Sequence, residues 1–350
     1  MLISFLSPFI FKLADVIILS ENNARSKPQA SSQGEILNSS KPVNFPDFFL
    51  VGAPRCGTTA LSRYLTRNPQ ICFSRPKEPH YFTQLTHTPD ISELKSGYLD
   101  RCYAHCTSGH RAIGEGSVSY LYMPGVIERI LHFNPQARFI VLVRNPLTML
   151  PSYHLRMQFL LQEDEADFAT AWALQSARAK GESLPKRCLD ARLLQYCDNA
   201  KFGLQIERLF KLAGRERTKV VVFDDLASDT LSVYRQVLEF LNIDYDGQTE
   251  FERRFESVIY RYLWIQQLLF VPATRGGKIV DTLQRSARKY NADGSKRKSM
   301  SKRMTNWNKV RKSPEPLTPQ MADTLREALR ADNQLLSALL ERDLGHWLDS

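Results

Sequence analysis

The sequence predicts a three-layer α/β/α domain over residues 46–350, with a central parallel sheet and helical insertions. Three observations carry this expectation. Short apolar, β-branched runs recur along the chain, and each passes into a stretch with helical spacing. Continuous apolar strands alternating with amphipathic helices argue for a parallel sheet covered on both faces. Finally, 43% hydrophobic and 24% charged residues in a chain of 350 match a globular domain with a real core and argue against wholesale disorder.

The elements follow in order. Leu2–Leu19 is apolar but interrupted by Lys12 and Asp15, with no basic start before it and no clean small-residue cleavage site after it. This reads as an amphipathic helix lying on the body or on a membrane surface, rather than a spanning helix or a leader. Ser20–Lys41 is rich in Ser, Asn, Gln and Pro and reads as a flexible linker, so residues 1–45 stand apart from the domain. Phe48-Phe49-Leu50-Val51, ending at Gly52, reads as a buried strand. Thr58–Arg67 has helical spacing and stops at Asn68-Pro69. Gln70–Phe73 is a second short strand. Ala137–Val143 is another, which breaks at Asn145-Pro146 into a helix over Leu147–Leu161. Thr218–Phe223 is the next, followed by Asp224-Asp225-Leu226 and a helix over Leu231–Leu241. Ala166–Lys180, Leu189–Leu212 and Pro319–Leu348 read as long helices, and no internal repeat is present.

Charge is unevenly spread. The net charge is +10, and the segment Lys278–Lys312, with twelve Lys and Arg against Asp281 and Asp293, carries all of it. Such a segment is a solvated basic loop or a local anion site for a phosphate, an acidic glycan, nucleic acid or an anionic membrane. The six cysteines (Cys56, Cys72, Cys102, Cys106, Cys188 and Cys197) show no framework spacing and read as reduced thiols of a cytoplasmic protein. Cys102, His105 and Cys106 with His110 lack the second Cys/His pair of a zinc knuckle, and no metal site is expected.

The most informative stretch is Gly52-Ala53-Pro54-Arg55-Cys56-Gly57-Thr58-Thr59, between a strand and a helix. Backbone N–H groups at such a turn converge on an anion, and the helix dipole favours negative charge there. The stretch is P-loop-like, matching G-x-x-x-x-G-K-[ST] except that Thr58 replaces the lysine. Loss of that lysine counts against ATP or GTP hydrolysis. A cation inside the loop, Arg55, suits instead a donor whose single phosphate carries the transferable group. A kinase reading would also need an acidic Mg²⁺ ligand, for which Asp224 and Asp225 are the candidates.

The motif Pro54–Thr59 resembles the 5′-phosphosulfate loop, P-K-x-G-T-T, of sulfotransferases that use 3′-phosphoadenylyl sulfate (PAPS). Arg144-Asn145-Pro146 with Ser152 eight residues after the arginine resembles that family's 3′-phosphate motif. The resemblance runs from about Asp47 to the C-terminus and includes Val222–Leu226 and the terminal segment to Trp347. It implies that PAPS is the co-substrate, held by Arg55, Cys56, Gly57, Thr58, Thr59, Arg144 and Ser152. Lys296 and Arg297 of the basic segment would close over the 3′-phosphate. Arg55 stands in for the family's lysine, keeping the charge but changing the geometry. Donor charge handled by arginines and backbone needs no divalent metal, and no nucleic-acid partner is expected.

For the acceptor, Lys77-Glu78-Pro79-His80-Tyr81-Phe82 is similar to the family's K-E-x-H-[FY]-F stretch. It implies Glu78 as the base, with His80 as understudy or orienting group, beside Arg55 in the catalytic set. Gly114-Glu115-Gly116-Ser117-Val118-Ser119-Tyr120 corresponds to the family's G-E-K-[ST]-P-x-Y, with the lysine replaced by Gly116 and the proline by Val118. Tyr196 and Lys201 are placed on a helix bordering the cleft. The acceptor itself, whether glycan, lipid or small molecule, and the oligomeric state are not encoded in any motif.

Overall fold

The computed structural model describes residues 45–252, 258–262 and 306–348. Five strands form one parallel sheet: β1 (Phe48–Gly52), β2 (Ile71–Phe73), β3 (Ala112–Glu115), β4 (Arg138–Val143) and β5 (Thr218–Val222), in the order β2-β3-β1-β4-β5. The longer helices are α1 (Thr58–Arg67), α2 (Val126–Phe133), α3 (Pro146–Phe159), α4 (Phe202–Ala213), α5 (Thr230–Leu241) and α6 (Pro319–Leu340). Every residue of β1 is buried, as expected of a central strand covered on both faces. Phe48 lies opposite Gly114 on one side and Arg138 on the other. A Cβ at Gly114 would come within 2.2 Å of the Phe48 ring, so β3 approaches β1 only because that position has no side chain. The chain leaves β1 toward β2 and β3 on one side, then crosses to β4 and β5 on the other. The carboxyl ends of β1 and β4 therefore meet at the switch point where open α/β sheets bind ligands.

The three predicted long helices are broken. Ala166–Lys180 splits into Phe168–Ala173 and Gln175–Ala179, and Leu189–Leu212 into a 3₁₀ turn at Ala191–Leu194, a short helix at Tyr196–Ala200 and α4. Pro319–Leu348 ends its α-helix at Leu340 and closes with a 3₁₀ turn at Gly345–Trp347. The breaks fall at Leu174, at Gln195 and Lys201, whose ψ values of 75° and 71° leave the helical region, and at Glu341, which turns left-handed at φ 51°. Asp167 and Asp190 cap the starts of Phe168–Ala173 and Ala191–Leu194 by accepting from Thr170 N and Arg192 N. A buried ion pair fixes this insertion. Arg178 Nη1 and Nη2 donate to the two oxygens of Glu163 at 2.6 and 2.7 Å, and Tyr196 adds its hydroxyl at 2.7 Å. Burial alone would raise the Glu163 pKa, but these donors hold it below the usual carboxylate range. Arg178→Ala leaves that carboxylate buried without its cation and is expected to cost about 3–5 kcal/mol, read as a lower urea midpoint with an unchanged slope.

A ribbon that the sequence reading does not foresee, β6 (Val258–Tyr260) with β7 (Lys309–Arg311), is antiparallel. Tyr260 stacks on Phe159 of α3 at 4.6 Å, so Lys309 and Arg311 belong to a ribbon held against α3 rather than to a solvated loop. Lys296, Arg297, the amphipathic segment Leu2–Leu19 and the linker lie outside the described residues. Among the described residues no helix is long and apolar enough to cross a membrane.

The cysteine expectation is corrected. Cys72 and Cys106 form a disulfide, with Cα atoms 5.6 Å apart and a sequence separation of 34, while Cys56, Cys102, Cys188 and Cys197 are free. The pair has no readable spacing because it is assembled by β2 and the segment after Asp100–Tyr103. A disulfide belongs to an oxidising compartment, so the cytoplasmic expectation loses the reduced thiols on which it rested. His105 lies with both sulfurs, their ligand atoms within 4.8 Å of one another, but these two sulfurs are bonded to each other.

Candidate active site

The donor loop follows β1 directly. Gly57 is the N-cap of α1 at φ 95°, and a Cβ there would meet the side chains of Leu226 and Phe223 at 3.1 and 3.2 Å. Glycine is needed at this point for both conformation and space. Arg55 also adopts the left-handed region, at φ 64°, a conformation that a side-chain-bearing residue holds only when its surroundings impose it. At the start of α1, Ala60 N and Leu61 N donate to the Gly57 carbonyl at 2.9 and 3.1 Å, and the N–H groups of Thr58 and Thr59 come before the first intrahelical bond. Thr58 is buried and Thr59 half-buried. The Cys56 thiol is buried against the Pro54 carbonyl at 3.4 Å, so Cys56 offers its backbone and not its sulfur.

The second anchor meets the first. Arg144 follows β4, its Nε donating to Thr148 Oγ1 at 3.0 Å and its Nη1 to the Arg55 carbonyl at 3.3 Å. Its guanidinium lies 4.7 Å from the Phe223 ring centre. Asn145 caps α3, accepting from Leu147 N, with Pro146 in the first turn. That cap points α3 so that buried Ser152 reaches Arg55, whose Nε donates to Ser152 Oγ at 2.8 Å. The two anchors expected at separate places form one continuous cluster. Burial, then the like charges of Arg156 and Arg144, pull the Arg55 guanidinium down to about 10. Cations forced together in this way favour a bound anion.

Glu78 and His80 are also brought together. Lys77 Nζ is 2.6 Å from Glu78 Oε1, and His80 Nε2 is 3.3 Å from Oε2. Burial by itself would raise the Glu78 pKa, but the Lys77 charge and the His80 hydrogen bond hold it far below the usual carboxylate range. His80 is held in turn: its N–H donates to Ser117 Oγ at 3.0 Å, and Nδ1 lies 2.6 Å from Ser119 Oγ. It too adopts a left-handed backbone, at φ 50°. Lys77 Nζ also donates to the Gly116 carbonyl at 3.3 Å. An ammonium from the neighbouring loop thus stands over the position where the related motif carries lysine. Glu115 is wholly buried, accepting from the hydroxyls of Tyr98 and Tyr120, and burial pushes it up to about 7. It braces the end of β3.

The other candidates are engaged by neighbouring side chains. Tyr196 binds Glu163, and Lys201 pairs with Asp198 at 2.8 Å. Asp224 accepts from Trp347 Nε1 at 3.1 Å, and Asp225 takes both Nη groups of Arg342. The acidic pair that a kinase would need for Mg²⁺ is therefore engaged in fastening the C-terminus.

The family model for the sulfotransferase family matches residues 46–247, more than half of the chain. The chain belongs to the sulfotransferase family. Carbohydrate sulfotransferase 15 of Homo sapiens is 30% identical over a match covering 31% of this chain and 27% of that protein. Membrane-associated sulfotransferase kil1 of Dictyostelium discoideum is 28% identical, over 34% of this chain and 25% of that protein. The chain thus spans about a quarter of the length of these curated relatives. The crystal structure of a sulfotransferase from Alicyclobacillus acidocaldarius superposes with a TM-score of 0.58 at 22% identity, covering 87% of this chain and 99% of that one, which bears out the three-layer fold.

Within this sulfotransferase-family domain, sequence reading missed Arg156 and Tyr260, and treated Lys309 only as part of a basic run. Arg156 carries a readable signal, because it lies one helical turn beyond Ser152 and hence on the same face of α3. Tyr260 and Lys309 carry none, since their place beside α3 depends on a ribbon whose strands are far apart in sequence.

Proposed function

We propose that the chain transfers a sulfuryl group from PAPS to a hydroxyl or amine of a glycan, lipid or small-molecule acceptor, by in-line attack assisted by Glu78 as base. The single observation that carries this reading is the convergence of Arg55, Arg144 and Ser152 where β1 and β4 end, beside a helix start with no lysine at position 58. Two guanidiniums and a row of N–H groups match the phosphosulfate and the 3′-phosphate of one nucleotide. With Thr58 in place of lysine, the loop lacks the cation that a P-loop NTPase extends to the β- and γ-phosphates. Sulfuryl transfer, like phosphoryl transfer, rests chiefly on positioning and charge stabilisation; Arg55 would neutralise charge on the departing phosphate oxygen. Glu78, oriented by Lys77 and His80, would accept the acceptor's proton. Lys296 and Arg297 remain part of the proposal as a basic flap over the 3′-phosphate. A peripheral membrane contact through Leu2–Leu19 is in keeping with the membrane-associated relative.

Adenosine 3′,5′-bisphosphate is expected to raise the melting temperature at concentrations where ATP–Mg²⁺ does not, since only a ligand bound to the native state shifts unfolding. A selective shift with ATP–Mg²⁺ would reject the donor assignment.

A further inference from the structure

One guanidinium near the reacting centre is left over by this scheme. Arg156 projects from α3, half-buried, with its guanidinium 5.3 Å from the Phe159 ring centre. Among the described residues no hydrogen bond or ion pair engages it. Its electrostatic neighbours are Glu78 and Tyr260 on the acceptor side, together with Arg55 and Lys309. Lys309, on β7, is also half-buried and holds its ammonium 5.8 Å from the same Phe159 ring. Two like charges thus share one aromatic ring beneath a stacked tyrosine. Partial desolvation and mutual repulsion both weigh against that arrangement unless an anion joins it. The carboxylate that acts on Arg156, Glu78, is already held by Lys77 and His80.

We infer that Arg156 and Lys309 form a subsite for an oxyanion on the acceptor, so that the molecule sulfated here already carries a carboxylate or an ester sulfate close to the reacting hydroxyl or amine. This rests on the sulfotransferase reading of the same site and narrows it. The donor's own anions are matched by Arg55, Arg144, Ser152 and backbone groups, whereas Lys309 and Tyr260 come from the ribbon and Glu78 from the acceptor loop. A guanidinium fork takes a carboxylate or sulfate through two parallel hydrogen bonds, and the adjoining ammonium adds a point charge.

The test compares three acceptors at saturating PAPS: a phenyl glycoside, its uronic acid and its monosulfate ester. The quantity read is kcat/KM for each anionic acceptor relative to the neutral one, and the two anionic arms tell carboxylate from ester sulfate. A charge-assisted contact predicts a wild-type preference of about tenfold or more. Arg156→Gln should bring that ratio toward one, and Arg156→Lys should keep part of it. If Arg156→Gln fails to fold, Lys309→Gln should lower the ratio in the same way. A ratio near one in the wild type overturns the inference, as does a ratio that survives these substitutions. So does an absence of transfer to all three acceptors by protein that binds adenosine 3′,5′-bisphosphate. Protein that does not bind the nucleotide at all rejects the donor reading instead, and the subsite falls with it.

Discussion

Glu78→Gln should lower turnover by about 10²–10⁴-fold, the usual contribution of a positioned general base, while adenosine 3′,5′-bisphosphate binds as before. The amide keeps the shape and can still meet Lys77 through its oxygen, but it cannot receive a proton. The environment of Glu78 also bears on when a base at this position would act. A carboxylate held by Lys77 at 2.6 Å and by His80 at 3.3 Å is ionised at any ordinary pH but is a weak base. It would take the proton late, once bond formation to sulfur has made the acceptor oxygen acidic. Steady-state rates with PAPS and a competent acceptor check the loss, and calorimetry with the bisphosphate checks the donor side. Full activity in the Gln variant would move the base to His80, which lies beside Glu78 and is anchored by Ser117 and Ser119.

The other large effect is expected at Arg144. Arg144→Ala removes a fork that bonds Thr148 and the Arg55 carbonyl and that faces the proposed 3′-phosphate. Loss of one partner of a largely desolvated charge pair typically costs about 2–5 kcal/mol, or about 30-fold or more in Kd. Calorimetric titration with adenosine 3′,5′-bisphosphate reads this directly. Arg144→Lys should fall between, because a point charge replaces bidentate geometry. Unchanged affinity in Arg144→Ala would refute its assignment to the donor.

Local signals explain what the sequence shows and what it hides. The donor loop is legible because strand, glycine turn and helix start are contiguous, and each residue type is dictated by the turn itself. Arg144 and Ser152 are legible for the same reason, since the strand end and the first turns of one helix place both. Glu78 and His80 sit two residues apart in one loop. The joining of the donor anchors is not legible, because the Arg55 to Ser152 bond depends on where the cap at Asn145 aims α3. The companion of Arg156 is hidden further still, as β7 reaches α3 only after pairing with β6. The long apolar periodicities misled in the insertion, where the backbone leaves the helical region at Gln195 and Lys201 although hydrophobic spacing alone would continue.

The Cys72–Cys106 bridge bears on how this protein is handled. Cys72 lies on β2, six residues before Glu78, and Arg75 N donates to the Cys102 carbonyl at 3.0 Å, so the loop bearing Glu78 is stitched at its root to the stretch around residue 102. Cross-linking a loop of this span removes on the order of 3–4 kcal/mol of freedom from the unfolded chain. Preparations kept in strong thiol reductant would surrender that tether at the foot of the Glu78 loop, and protein from an oxidising folding host is the better material for measuring its chemistry.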